Sequence, residues 1–581
     1  MQQLLWAHAS RRLVQDSLDG LVASVPHLRR IDAFPEIKVV VNADHAPSRV
    51  AVISGGGSGH EPAHAGFVGM GMLAAAVCGE VFASPSAEAV QTAIEAVAPS
   101  DVLLIVKNYS GDRIHFGLAA EAAKASGRRV ALAVVDDDVA IETPGLAGRR
   151  GIAGTMLVHK VAGAAAADGA SLDEVADAVR RAAASVATLG VAVAHAGPTP
   201  HAIELGLGIH GEPGFEKGQP APLEELVPRM LRRVLGYRGA AHAALNSGAP
   251  LALLVNNLGG MSNLELAAVT HEALGWLRNQ AHNVSRVYTG ACVTSLDMSG
   301  FSLSLMSLDE ARTRALDAPT AAPGWPTICG PVEPLESRVL PLPPAIAQLR
   351  AKRAALLAGR PLASATPQGR ELDAAVRAAA TALLPLTQHL NELDAAAGDG
   401  DCGSTVRTAA EALLAAPEGA FAGDAAEALE AAVAVIRASV GGSLGGLYAI
   451  GLSAAAGAMA RGGSAAAAGP AEWSAALRAG LESVELYGRA RPGHRTLLDA
   501  LVPAAEALAA AADAGAGAAE AAHAAAAAAK AGAAATAGMA ASAGCASYVR
   551  GSALKNEDPG AVAAAAWLQA VADSLAGGEG R

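Results

Sequence analysis

Aromatic residues make up only 3% of the 581-residue chain, and its five cysteines (Cys78, Cys292, Cys329, Cys402, Cys545) are scattered, with no pair at metal-ligand spacing. The first scarcity predicts cores of small aliphatic side chains and closely approaching helices. The second excludes a disulfide scaffold or a zinc finger and fits a reducing compartment. Long like-charge runs are also missing. A net charge of -12 without clustered Lys and Arg argues against a nucleic-acid surface, so any phosphate is bound locally. No uninterrupted apolar run reaches about 18 residues. The N-terminal region around Arg11 and Arg12 has no apolar core of signal length, which predicts a soluble cytoplasmic protein that avoids membranes. A Walker loop is absent too, because no Gly-Lys-Ser/Thr follows the glycine-rich segment near residue 55.

What is present is ample apolar material. Hydrophobic residues are 52% of the chain, with alanine supplying much of the total, and the length predicts about three or four domains. From Lys38 to Leu254 short aliphatic runs alternate with helical stretches: Val39 to Val41, Val50 to Ile53, Val102 to Val106, Val130 to Val135, then Leu251 to Val255. Such alternation predicts α/β layers with mostly parallel strands and ligands at strand C-termini. Between Gly330 and Pro367 prolines accumulate and strand signals stop, which predicts a linker, helical around Ile346 to Leu357. Beyond it, Ala/Leu/Glu-rich amphipathic stretches predict an all-α bundle, and the alanine tract from Ala504 to Ala541 reads as helix. The expected divisions are an α/β substrate-binding subdomain at 1–190, a second α/β subdomain at 191–332, a Pro-rich linker at 333–366 and an all-α nucleotide-binding domain at 367–581.

Three segments carry chemistry. In Val50 to Pro62 a β-type run delivers Gly55, Gly56, Gly57, Ser58, Gly59 and His60 to a turn where backbone amides can crowd an oxygen-rich molecule. Spelled alone, it is also an ordinary glycine turn with an incidental histidine. Asp394, Asp399 and Asp401 put three carboxylates on a glycine-loosened loop before a helix, suited to Mg²⁺ beside substrate phosphates. An EF-hand is excluded, since its twelfth-position Glu is missing; a surface turn is the plainer alternative. Glu204 to Gly214 sets His210 between glycines beside Glu212, where an imidazole can be a nucleophile or base or merely cap a turn. Further glycine turns at Gly441 to Gly446 and Pro492 to Thr496 suit phosphate oxygens at helix starts.

Together these segments resemble the dihydroxyacetone kinase family in its single-chain, ATP-dependent form. The likeness spans nearly the whole chain in order. It rests on Ser54 to Pro62, Lys107 to Arg113 with Phe116 to Ala119, and Gly148 to Thr155. It continues through Gly206 to Gly214, Asn256 to Gly260, the aspartate loop and Asp558 to Ala561. The resemblance implies that His210 holds the substrate carbonyl as a hemiaminal, that Asp112 takes the proton of the attacking hydroxyl, and that His60 hydrogen-bonds that region. Gly57, Ser58, Gly59 and Lys107 would line the pocket. It further implies Mg²⁺ on Asp394, Asp399 and Asp401, with ATP contacts from Cys402, Gly403, Ser404, Ser443, Leu444, Gly488, Thr496, Leu497, Asp558, Pro559 and Gly560. The implied working form is a homodimer whose helical domain docks across subunits. Leu444, His494 and Cys545 depart from the family pattern, where serine, aspartate and arginine are usual. On the same scaffold, erythrulose or glyceraldehyde is an alternative substrate, conversion of flavin dinucleotide to cyclic flavin phosphate an alternative reaction, and a carbonyl-binding regulator the non-enzyme alternative.

Overall fold

The computed structural model describes residues 12–578 apart from 32, 34, 143–144, 194–201, 327–331, 334, 360, 397–398, 463–467 and 544–555. It divides into two compact units, residues 1–339 and 340–581.

The first unit holds two six-stranded sheets. One comprises β1 (Leu28–Arg30), β2 (Val39–Asn42), β3 (Ala51–Ser58), β4 (Ala75–Val81), β5 (Val102–Lys107) and β6 (Val130–Val135), in the order β1-β2-β4-β3-β5-β6. β5 is a continuous buried aliphatic run, as a strand covered on both faces should be. The helices Ala87–Ala96 and Ser110–Ala125 cover one face. Gly154–Ala167 and Leu172–Ala183 cover the other, and the core formed there continues into the second sheet. That sheet comprises β7 (Val186–Val193), β8 (Ile203–Leu205), β9 (Glu216–Gly218), β10 (Leu251–Asn257), β11 (Val284–Gly290) and β12 (Gly300–Ser307), ordered β11-β10-β12-β7-β8-β9. Leu223–Gly236 and Asn263–Asn279 pack on its outer face.

The expectation of mostly parallel strands holds for half of this unit. β4, β3, β5 and β6 are mutually parallel neighbours, whereas β1/β2 and β2/β4 are antiparallel. Among the described strand pairs of the second sheet only β10/β11 is parallel, the pair joined by a helical crossover, Asn263–Asn279. Strand direction follows the connection: where no helix intervenes, as from β8 to β9, the chain turns back antiparallel.

Among its described residues the second unit is all-α. Eight helices (Pro367–Leu383, Cys402–Ala415, Ala425–Ser439, Gly442–Arg461, Pro470–Gly488, Leu498–Asp513, Ala518–Ala535 and Pro559–Gly578) pack each on the next, and the last returns to the first, closing a ring. Alanine and glycine permit the close approach: a Cβ at Gly532 would lie 2.1 Å from the Asp499 carbonyl oxygen. The same small side chains leave the ring's centre unfilled, an apolar cavity of about 400 Å³ bordered by Val376, Ile436, Leu452, Trp473 and Trp567. Gly442–Arg461 is long and apolar enough to span a membrane by length and composition, but it is a member of this ring. The proline-rich stretch contains the helix Pro344–Leu357, which packs on Ala425–Ser439 through a Lys352–Glu430 ion pair of 2.8 Å.

Candidate active site

The ends of β3 and β5 and the loops after β4, β8 and β11 gather the chemistry of the first unit. Here the glycine reading needs correction. Gly55, Gly56 and Gly57 lie inside β3 rather than in a turn. They are demanded by close backbone approach: a Cβ at Gly55 would sit 2.1 Å from the Val77 carbonyl oxygen, and one at Gly57 2.8 Å from the Ala83 nitrogen. Only Gly59, at φ +102°, makes the turn, and its amide donates to Glu61 Oε2 at 3.0 Å. The Ser58 hydroxyl is likewise spent, on the Gly79 carbonyl at 2.8 Å.

That turn drives His60 into the protein with 0% exposure. Its Nδ1–H donates to the Thr294 carbonyl at 2.9 Å, which fixes the tautomer and leaves Nε2 as a buried lone pair with no partner among the described residues. Burial, then the nearby Lys107 and His210, lower its pKa to about 2, so the ring is neutral. Thr294 is itself placed from the second sheet. Buried Asn256, at the end of β10, accepts from the amides of Cys292 and Val293 at 2.8 and 2.9 Å and donates to the Val293 carbonyl at 2.8 Å.

His210 lies on the turn after β8. Its Nδ1–H donates to Glu212 Oε1 at 3.0 Å and its amide donates to Oε2 at 3.0 Å, so the other ring nitrogen carries the lone pair. Burial would raise the Glu212 carboxyl, but the hydrogen bond and charge of His210 outweigh it and hold the pKa at about 2. Three rings stand nearly perpendicular to the imidazole, with centroids at 4.7 Å (Tyr109), 4.8 Å (His60) and 5.6 Å (Phe82). Lys107 ends β5 and is 1% exposed; Asp112, in the first turn of Ser110–Ala125, is 3% exposed. Burial lowers the Lys107 pKa and raises that of Asp112, while each opposes the shift of the other. Ser84 Oγ donates to Asp112 Oδ1 at 2.5 Å. A Cβ at Gly56 would touch both, 3.4 Å from Asp112 Oδ2 and 3.6 Å from Lys107 Nζ, so glycine there opens the space between strand and base.

In the helical unit the predicted residues collect where four helices begin. Asp394 closes the short helix Thr387–Ala395; its Oδ2 accepts from the amides of Asp401 and Cys402 at 3.0 and 3.1 Å, capping Cys402–Ala415. The carboxylates of Asp394, Asp399 and Asp401 approach within 4.8 Å of one another. Asp399, then burial and Asp394, raise the Asp401 pKa, a mutual repulsion that a hard cation would relieve. Gly403 is obligatory, since a Cβ there would lie 2.0 Å from the Thr387 carbonyl oxygen. The amide and hydroxyl of Ser404 are both engaged by Asn391 at 3.0 Å. Ser443 and Leu444 open Gly442–Arg461, and Gly488 ends Pro470–Gly488. Thr496 and Leu497 precede Leu498–Asp513, where buried Asp499 accepts from the amides of Gly493 (2.5 Å) and Thr496 (2.7 Å). Arg495 donates to the carbonyls of Asn556 and Glu557 at 3.0 and 3.3 Å, tying this loop to Asp558, Pro559 and Gly560. Asp558 Oδ1 caps Pro559–Gly578 by accepting from the Ala561 amide at 2.8 Å.

A Dak1 domain matches residues 19–324 and a DAK2 domain residues 396–573. A putative 3,4-dihydroxy-2-butanone kinase of Solanum lycopersicum is 44% identical over 577 residues, covering 96% of both chains. The chain belongs to the dihydroxyacetone kinase family. A triokinase/FMN cyclase of Mus musculus is 40% identical over 586 residues, again covering 96% of both chains. The crystal structure of the dihydroxyacetone kinase from C. freundii in complex with AMP-PNP and Mg²⁺ matches with a TM-score of 0.70 at 37% identity, covering 97% of this chain and 98% of that one.

Two of the three departures from the family pattern have a structural account. Leu444 turns its side chain into the core beside Leu390, Val406 and Ala563, leaving its backbone at the helix start. His494 closes a turn, its Nδ1 accepting from the Arg491 amide at 3.3 Å. Cys545 lies outside the described residues. Sequence reasoning missed Asn391, which a helical-face argument would have found three residues before Asp394. It also missed Thr294, Ser84 and Phe82, whose contacts to the site cross strands and carry no local signature.

Proposed function

We propose that this chain is an ATP-dependent kinase that phosphorylates a terminal hydroxyl of dihydroxyacetone or a related short-chain ketose or aldose, with the substrate held as a hemiaminal on His210. The observation that carries this reading is the Glu212–His210 pair. A hydrogen bond at Nδ1 presents the opposite ring nitrogen as a free lone pair, inside a collar of neutral rings. That lone pair adds to the carbonyl carbon, and the C=O π electrons pass to the oxygen, which takes a proton from water. The ring, its charge stabilised by Glu212, gives up its Nδ1 proton through Glu212 to water, leaving a neutral hemiaminal. Glycerol has no carbonyl and cannot form the adduct. Asp112, within the field of Lys107 and His210, accepts the proton of the terminal hydroxyl as it attacks the γ-phosphate. Asp394, Asp399 and Asp401 fit Mg²⁺, which would neutralise phosphate charge; Cys402 to Ser404, Ser443, Leu444, Gly488, Thr496, Leu497 and Asp558 to Gly560 would contact the nucleotide.

The test is ADP release from ATP and Mg²⁺ with dihydroxyacetone, erythrulose, glyceraldehyde and glycerol, in wild type, His210→Ala and Asp399→Ala. Turnover with a ketose, absent with glycerol and reduced by either substitution, is the expected result; no turnover with any carbonyl compound by folded protein overturns it. A second reading, cleavage of flavin dinucleotide to cyclic flavin phosphate at the nucleotide site, draws on the mouse relative's name and is read by a Mn²⁺-dependent flavin assay. The regulator reading is disfavoured by the retained aspartates and helical unit. We further infer a cytoplasmic homodimer in which each helical unit serves the partner's α/β unit. Mixing Asp112→Asn with Asp399→Ala chains then restores about a quarter of wild-type activity, since half of the dimers are mixed and each carries one intact composite site. No recovery after subunit exchange contradicts it.

A further inference from the structure

We propose that Phe82 is a specificity-determining wall of the carbonyl pocket, restricting it to ketones and aldehydes of about three or four carbons; this deepens the kinase reading and rests on it. Phe82 follows β4 and has φ 55°, the left-handed region that a bulky side chain avoids. Strain of that kind persists only where the surroundings over-determine it, and it clusters at functional sites. The surroundings here are the glycines of the β3 segment. Gly57 and Gly59 leave room for Phe82 itself: a Cβ at Gly57 would lie 2.9 Å from the Phe82 carbonyl carbon, and one at Gly59 2.8 Å from Phe82 Cε1. The Phe82 amide donates to the Ser58 carbonyl at 2.9 Å, locking the backbone to the strand.

The ring so held does not serve the core. It is 38% exposed, yet stands 5.2 Å from the His60 ring and 5.6 Å from the His210 ring. Tyr109 meets His210 at 4.7 Å with an 85° interplanar angle, so the histidine is bracketed by two aromatic side chains and His60. A carbonyl carbon bonded to His210 must place its substituents within this bracket. Phe82 is the member of the bracket with an exposed ring, so it meets the carbons of a longer chain first. Discrimination by one added carbon in such a pocket typically reaches tenfold or more.

The experiment measures kcat/KM for dihydroxyacetone, erythrulose and a five-carbon ketose in wild type, Phe82→Gly and Phe82→Leu. In parallel, the same three ketones are titrated without nucleotide, followed by ¹³C NMR of carbonyl-labelled compounds. Phe82→Gly suits the left-handed backbone, so it is expected to fold, and thermal unfolding checks this; Phe82→Leu keeps an apolar branch without the ring. The expected result is that the five- to three-carbon ratio rises at least about tenfold in Phe82→Gly and less in Phe82→Leu, in both turnover and binding. A ratio unchanged in both variants overturns the proposal and leaves Phe82 a structural turn residue. If wild type binds ketones without turning them over, the kinase reading fails and the binding ratio alone decides the role of Phe82. If wild type binds no carbonyl compound, the pocket reading falls and the proposal with it.

Discussion

The two sites of this chain are built on opposite physics. In the α/β unit the groups proposed to act on the substrate are buried: His60, Lys107 and Asp112 are 0%, 1% and 3% exposed, and their pKa values are displaced by burial. In the helical unit Asp399 and Asp401 are exposed on a loop, and the Asp401 pKa is raised chiefly by the charge of Asp399. The difference follows from what each site must hold. A small neutral carbonyl compound brings little binding energy, so a dry, preorganised pocket has to supply orientation and electrostatics. A metal–triphosphate complex brings its own charges, and open carboxylates with helix-start amides suffice to meet them.

That contrast is broken most severely at Asp112. Replacement by Asn keeps the shape and removes the proposed base, and turnover is expected to fall by about 10³. Ketone binding, followed by ¹³C NMR, should persist; loss of both together would merge capture and proton transfer into one step. Asp399→Ala acts on the other side. The expected outcome is at least a tenfold rise in the Mg²⁺ concentration needed for half-maximal activity, with ketone binding unchanged.

Acid stability sharpens the comparison. Besides His60, the α/β unit buries His64 and His159, with ring centroids 5.2 Å apart; burial lowers both pKa values, His159 to about 3. Unfolded histidines bind protons below about pH 6.5 and these folded ones do not, so the unit loses stability as pH falls from about 6.5 to 5. In the helical unit burial raises Asp558 to about 6, and its folded form keeps a proton that the unfolded chain releases near 3.8; that contribution grows as pH falls from 6 to 4. Asp138 in the α/β unit, also raised to about 6 by burial, offsets part of the loss from the three histidines. Hydrogen exchange on the full chain at pH 5 and 7, corrected for intrinsic rates, should therefore show the α/β unit opening first at the lower pH. Both His159 ring nitrogens lack a partner among the described residues, so His159→Met should stabilise that unit by about 1–2 kcal/mol and flatten its acid loss. The smallest effect belongs to His494→Asp. A carboxylate can accept the same Arg491 amide, and the apparent KM for ATP should fall only a few-fold; no change would mark the departure as harmless.

The α/β half and the helical half were legible because β5 and β6 are unbroken aliphatic runs and because alanine-rich stretches favour helix. Strand direction in the second sheet was not, since it depends on connections such as β8 to β9 that composition does not encode. His60, His210, Lys107, Asp112 and the three aspartates sit in compact motifs and could be named in advance. Phe82, Thr294 and Asn256 could not. Thr294 meets His60 across 234 residues, and the glycines of β3 looked like a turn because their reason, the backbone of β4 and Phe82, lies elsewhere in the chain.

The division of labour is tested most directly by ¹³C NMR of carbonyl-labelled dihydroxyacetone with wild type, Asp399→Ala and His210→Ala, without nucleotide. A bound tetrahedral carbon in wild type and in Asp399→Ala, absent in His210→Ala, is the predicted result. An adduct that survives loss of His210, or disappears with Asp399, would contradict the account.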